Sequence, residues 1–205
     1  MHINQEFSTI HSRITSSFKH DVFARPLFYT YPAGLRFELS ESGSSLDQFM
    51  TAMRKATSIC KDIFAREAMI TVCLQKIVGA NRFSMKSVLR ELHTAGISIP
   101  RQRCIWTAQD EDDQVYWVNL AFEISSTALQ SLLWCAFAFD FSIRPNPHCK
   151  VYLFNLQKGI AVFPYDDRGM DVAGENHELL LHLYNKYNRQ LLDCDRLAMD
   201  ATFTA

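Results

Sequence analysis

The sequence predicts an α+β fold: one domain with a mainly antiparallel sheet, helices packed on one face of it and a long C-terminal helix. Three observations lead there. Short β-rich runs, among them LRFELS, MITVCLQKI, KVYLFN and GIAVFPYD, are bounded by turn residues. They are interleaved with segments whose apolar residues recur every three or four positions, as on one face of a helix. Two pairs of β-rich runs, about 103–108 with 115–124 and KVYLFN with GIAVFPYD, read as hairpins, which makes the sheet mainly antiparallel.

A chain of 205 residues with 48% hydrophobic and 21% charged residues is long enough to bury a sizeable core. The expected division is an N-terminal helical extension over 1–26 and a single α+β domain over 27–205. In the extension, Phe7, Ile10, Ile14 and Phe18 stand at helical spacing over about 4–20. An arm with two prolines leads from it into a strand at about 34–39. Ser45-Leu-Asp-Gln48 has the form of a capping box, and behind it Leu46, Phe49, Met53, Ala56, Cys60 and Ile63 mark an amphipathic helix over about 45–65. A strand is expected over 69–77. Ser84 and Gly96 bracket the next helix as N-cap and C-terminal stop, with Phe83 and Val88 placed for a hydrophobic staple.

Two strands, about 103–108 and 115–124, form a hairpin across Asp110-Glu111-Asp112-Asp113. The helix over about 126–140 is apolar on every side in its second half, so it should lie at the centre under other elements. A second hairpin, KVYLFN and GIAVFPYD, turns at LQKG. From about 176 to 203 the pattern is helical again, spanning roughly 40 Å at about 1.5 Å per residue, and a break is placed near Asp193-Cys-Asp195.

The formal charge of −1 argues against a chain built to coat nucleic acid or an acidic membrane. The six cysteines include no CxxC pair and four lie in apolar periodic segments, which suits reduced thiols in the cytoplasm. The strongest apolar run, LLWCAFAF, has eight residues against the roughly 20 of a membrane-spanning helix. The opening residues carry no secretion signal. Signatures of α/β-hydrolases, P-loops and dinucleotide-binding folds are missing. In His177-Glu-Leu-Leu-Leu-His182 the imidazoles are i and i+5, roughly 140° apart, so they cannot share an ion.

FPYDDRGMDVAG, 163–174, sets three carboxylates, one guanidinium and a glycine within six positions. Two readings stay open. In the first it is a structural clasp: Asp166-Asp-Arg-Gly169 turns, Gly169 takes positive φ, and the Arg168 guanidinium holds Asp193 and Asp195 of the last helix. In the second, Asp166, Asp167 and Asp171 hold a divalent cation and Arg168 holds a substrate phosphate. As a calcium loop the stretch fails, because Gly169 and Val172 stand where an oxygen ligand and a glycine are required.

YDDRGMDV at 165–172, LYNKYN at 183–188 and LLDCDR at 191–196, with LRFELS and AMRKA in the N-terminal half, resemble a bacterial domain-of-unknown-function family, number 3885, marked by a DRG turn. The resemblance covers about residues 27–203 and implies a single domain of bacterial source with no established activity. One departure is Cys194, where an aromatic residue is expected.

The expectation for function is a cytoplasmic protein-binding module, in the form of an immunity protein that neutralises a toxin. The acidic residues Asp110, Glu111, Asp112 and Asp113 would meet the partner's basic cleft. No cofactor or metal is expected in that reading, and nucleic acid is disfavoured: the basic stretch Lys76, Arg82, Lys86, Arg90, Arg101 and Arg103 carries few interleaved aromatics. The alternative is a metal-dependent enzyme acting on a phosphate-containing substrate through the DDRG segment.

Overall fold

A computed structural model describes residues 9–78, 84–109 and 116–204. Its frame is a seven-stranded sheet in the order β1-β7-β6-β5-β2-β4-β3. The strands are β1 (Leu35–Glu38), β2 (Met69–Val78), β3 (Arg103–Gln109), β4 (Tyr116–Ser125), β5 (Lys150–Asn155), β6 (Ile160–Asp166) and β7 (Gly169–Gly174). Every neighbouring pair is antiparallel. The helices are α1 (Ile10–Ser16), α2 (Ser45–Ile63), α3 (Ser84–Thr94), α4 (Leu129–Phe137), α5 (His177–Lys186) and α6 (Arg196–Phe203). None is long and apolar enough to cross a membrane. The fold is α+β.

β2 is central and joins the β4–β3 hairpin to the β5–β6–β7–β1 group. Its side chains are buried on both faces from Ile70 to Gln75, which is why MITVCLQKI reads as a run rather than an alternation. One face carries Ile70, Val72, Leu74, Phe122, Leu153 and Val162 and is covered by α2, α3, α4 and α5. Each large side chain buried there contributes about 1.5–3 kcal/mol. α4 is enclosed as expected, with Leu132, Leu133, Cys135 and Phe137 all buried.

The opposite face is covered too, which the expectation of helices on one face did not include. Cys73, Ala121, Tyr152, Phe154, Ala161, Phe163 and Ala173 are apolar on that side, and Ile10, Ile14, Phe18, Val22, Leu27 and Tyr31 close over them. Such a surface would otherwise stand in water. The described residues of the expected N-terminal extension, from 9 to 26, therefore help form a second cover of the sheet.

Local signals shift by small amounts. α2 is capped by Ser44 rather than Ser45: the Ser44 hydroxyl accepts from the Asp47 amide at 3.3 Å, and the Asp47 carboxylate accepts from the Ser44 amide at 3.2 Å. Asp47 thus stands at N3 of the capping box, the place given to Gln48 in the sequence reading. α3 ends as expected, with Gly96 at φ +79 and the Ile97 amide donating to the Leu92 carbonyl. GMDVAG is an additional strand, β7, buried throughout.

The C-terminal helical pattern divides into α5, a turn at 188–190, an extended step at Leu191-Leu192, a turn at 193–195 and α6. Leu191 bridges Phe37 and the Leu192 amide donates to the Arg36 carbonyl, so this break covers the outer edge of β1. α5 is tied to α2 by Asp62, which accepts from Lys186 Nζ at 2.6 Å and from the Tyr187 hydroxyl at 2.8 Å. Partial burial works to raise the Asp62 carboxyl, but Lys186 and Tyr187 overcome it and hold it below its ordinary value. A carboxyl depressed in the folded state stabilises above its unfolded value of about 3.9, and that contribution is lost as pH falls through the folded value. Asp62→Asn is expected to cost roughly 1 kcal/mol at pH 7 and much less at pH 2, read from urea unfolding at both.

Candidate functional site

The DDRG segment is the two-residue hairpin between β6 and β7, with Asp166 opposite Gly169. The Asp166 carboxylate closes the turn on itself. Its Oδ1 accepts from the Arg168 and Gly169 amides at 2.9 and 3.1 Å, and its Oδ2 accepts from Arg168 Nε at 3.0 Å. Arg168 therefore points along its own turn, with its side chain 75% exposed. It does not reach Asp193 or Asp195, which corrects the expected clasp. A short Asx-type turn offers the guanidinium a carboxylate two residues away, at far less ordering cost than one on another element.

Gly169 also has a different reason from the one expected. No residue from Asp166 to Gly169 has positive φ. Gly169 packs under the Tyr165 ring, and a Cβ there would overlap the Tyr165 hydroxyl.

The clasp is present, but its cation is Arg36 and its anions are Asp171 and Asp195. The antiparallel register sets Arg36 directly across from Asp171. Arg36 Nε donates to Asp171 Oδ1 at 2.8 Å and Nη2 donates to Oδ2 at 3.2 Å, a bidentate pairing. Nη1 donates to Asp195 Oδ2 at 3.0 Å. The Phe28 amide also donates to Asp171, and the Tyr29 hydroxyl donates to Asp195 Oδ1 at 2.7 Å. The rings of Phe28, Tyr29 and Tyr165 stand 5.1–5.6 Å from the guanidinium carbon. One guanidinium so joins the β1 edge strand, β7, the arm at 28–29 and the turn before α6.

The Asp171 side chain is fully buried and that of Arg36 is 12% exposed. Burial raises the Asp171 carboxyl, while Arg36 and the Phe28 amide pull it down. Burial alone would lower the Arg36 guanidinium, but the hydrogen bonds and charge of Asp171 raise it above its ordinary value. Asp195 is held below its ordinary value: Tyr29, Cys194 and Arg36 overcome its partial burial.

Of the residues predicted for a cation, Asp166 and Asp167 stay together in the turn and Asp171 does not join them, being committed to Arg36 on the sheet face. No group of three or more His, Cys, Asp or Glu side chains arranged to hold a metal occurs among the described residues. Asp110, Glu111, Asp112 and Asp113 lie outside the described residues. Arg36 and Tyr29 were missed as site residues. Their signal was the odd charge in LRFELS, an arginine in a strand whose flanks, Leu35 and Phe37, are buried.

The family model described as Domain of unknown function (DUF3885) matches residues 10–195. The chain belongs to this family. No match was found among curated proteins or solved structures. In this DUF3885 chain the matched span includes α1, the sheet and the whole Arg36 network, ending at Asp195, the last carboxylate of the clasp.

Proposed function

We propose that this chain is a cytoplasmic protein-binding module that acts as an immunity protein, neutralising a bacterial toxin by occupying it stoichiometrically. The observation that carries this reading is the commitment of the conspicuous acids. Asp166 accepts from Arg168 and two backbone amides, Asp171 accepts from Arg36 and Phe28, and Asp195 accepts from Arg36 and Tyr29. Carboxylates already saturated by internal donors are poor general bases and poor metal ligands. They suit a rigid scaffold that presents a surface. The metal-dependent alternative would have to work without Asp171, and a Mg²⁺-dependent rise in melting temperature abolished by Asp167→Asn would favour it.

The contact is assigned to the acidic stretch Asp110, Glu111, Asp112 and Asp113, suited to the basic cleft of an enzyme that acts on nucleic acid. The test is co-purification with the product of the adjacent reading frame. A one-to-one complex is expected, together with growth rescue of cells producing that protein. Reversing Asp112 and Asp113 to lysine should weaken the complex about tenfold at low ionic strength and less at high. A complex whose affinity and salt dependence survive the reversal would remove the acidic stretch from the interface; the absence of any complex would remove the reading.

A further inference from the structure

On the sheet face under the N-terminal cover, one row of side chains is polar where its neighbours are apolar. The registers align Trp106, Asn119, Gln75 and Lys150 across β3, β4, β2 and β5. Asn119 is 1% exposed and neither its amide nitrogen nor its oxygen has a hydrogen-bond partner; Gln75, 5% exposed, has an unpartnered Oε1. The fully buried Tyr152 hydroxyl, one row away, is unpartnered as well. Folded proteins leave few buried polar groups unsatisfied, so three in one patch point to a missing partner.

A cavity of about 450 Å³ opens beside Gln75, which lines it together with Lys150; Asn119, next to Gln75 in the row, and Tyr152, one row away, do not line it. Its apolar walls include Ile77, Trp117, Phe139 and Tyr165. Size and lining match a small-molecule site: mostly apolar, with a few convergent polar groups. Lys150 makes no ion pair or hydrogen bond among the described residues; its ammonium lies 5.6 Å from the Phe163 ring and 6.0 Å from that of Trp117. The nearby acid, Asp166, is engaged by Arg168.

We propose that this cavity binds a small organic anion, a carboxylate or phosphate on an apolar or aromatic body, with Lys150 receiving the anionic group and Gln75 accepting a hydrogen bond from the ligand. The electrostatics agree. Burial and then the charge of Arg25 lower the Lys150 ammonium, against the pull of Asp166, and the charge of a bound anion would offset both. Asp140 also lines the cavity, and burial and then Asp167 and Asp166 raise its carboxyl. The anionic group therefore faces Lys150 and the body lies against Trp117 and Phe139. This inference does not rest on the protein-binding reading, so its failure leaves that reading untouched.

The experiment follows the three indole N–H signals by two-dimensional NMR of the full chain during titration with benzoate, phenyl phosphate and, as the neutral control, benzyl alcohol. A saturable shift of the Trp117 signal is expected with one or both anions, with Trp106 and Trp134 little changed. Lys150→Met should weaken anion binding about tenfold or more, the loss of one charge-assisted contact, and leave benzyl alcohol unaffected. Ile77→Trp, at the partly exposed rim, should obstruct all three probes and serves as the second variant if Lys150→Met does not fold. No saturable Trp117 shift up to about 10 mM anion, meaning a cavity that holds water only, would overturn the proposal. So would equal anion affinity in Lys150→Met, or anion binding unimpaired in Ile77→Trp.

Discussion

Arg36→Ala is expected to lower the unfolding free energy by about 3–5 kcal/mol, measured by urea denaturation at pH 7. The cost comes less from the lost attraction than from what remains: Asp171, fully buried, would keep only the Phe28 amide as donor. Asp195 would keep Tyr29 and the exposed Cys194 thiol. The deficit should depend on pH. Without the guanidinium, burial acts on Asp171 with less opposition, so its carboxyl stays protonated to higher pH. A carboxyl raised in the folded state adds stability below the unfolded value of about 3.9 and loses it as pH rises through the folded value. The variant should therefore be closest to the parent under acid conditions and furthest from it at neutral pH. Arg168→Ala, whose side chain stands in water beside Asp166, should change stability by no more than about 0.5 kcal/mol. Replacing the facing pair together, Arg36→Met with Asp171→Leu, should recover much of the loss, because two matched apolar groups leave no buried charge. A large effect of Arg168→Ala with a small one of Arg36→Ala would return the clasp to the hairpin turn.

Elements whose apolar residues face one way were legible in the sequence. α2, α3, β2 and the β3–β4 hairpin lie within a residue or two of the expected bounds, because a single buried face writes a period of 3.6 or 2 into the chain. β7 was not, since GMDVAG has a charged residue at its centre and glycines at both ends. Its strand character depends on β1 and β6 lying on either side and on Arg36 neutralising Asp171, neither of which is local. The role of Arg168 was misassigned for a related reason. A D-x-R spacing satisfies itself in the turn, and the guanidinium that serves the C-terminal acids sits about 130 residues earlier, in β1. The polar row of Asn119, Gln75 and Lys150 left only scattered polar letters within or at one end of β-rich runs, and their alignment needs the register of β4, β2 and β5. The N-terminal cover was read as an extension because its partner surface is assembled from β2, β4, β5, β6 and β7.

Gly174→Ala is expected to cost about 1–3 kcal/mol or more, and its argument depends on backbone rather than side chains. Gly174 ends β7 opposite Ile160, beside the Gly159 turn that links β5 to β6. A Cβ there would overlap the Gly159 carbonyl oxygen and come within 3.0 Å of Ile160 Cα. Both are main-chain atoms held in the sheet, so no flexible side chain can move aside; the turn itself must shift, and with it the pairing of β6. Gly174 also lies at φ +157, so dihedral strain adds to the overlap, and Gly159→Ala gives the scale of dihedral strain without an overlap. Gly159 has φ +61, but its Cβ would meet only Glu175 Cβ at 3.6 Å, an ordinary contact, so the expected cost is the roughly 1–2 kcal/mol of a left-handed residue. Gly174→Ala should therefore be the more damaging of the two in urea denaturation, and it should also speed hydrogen exchange at the Glu175 amide, which donates to the Gly159 carbonyl at 2.9 Å. Equal costs for the two variants, or an unchanged exchange rate at Glu175, would mean that the strand ends approach less closely than this geometry requires.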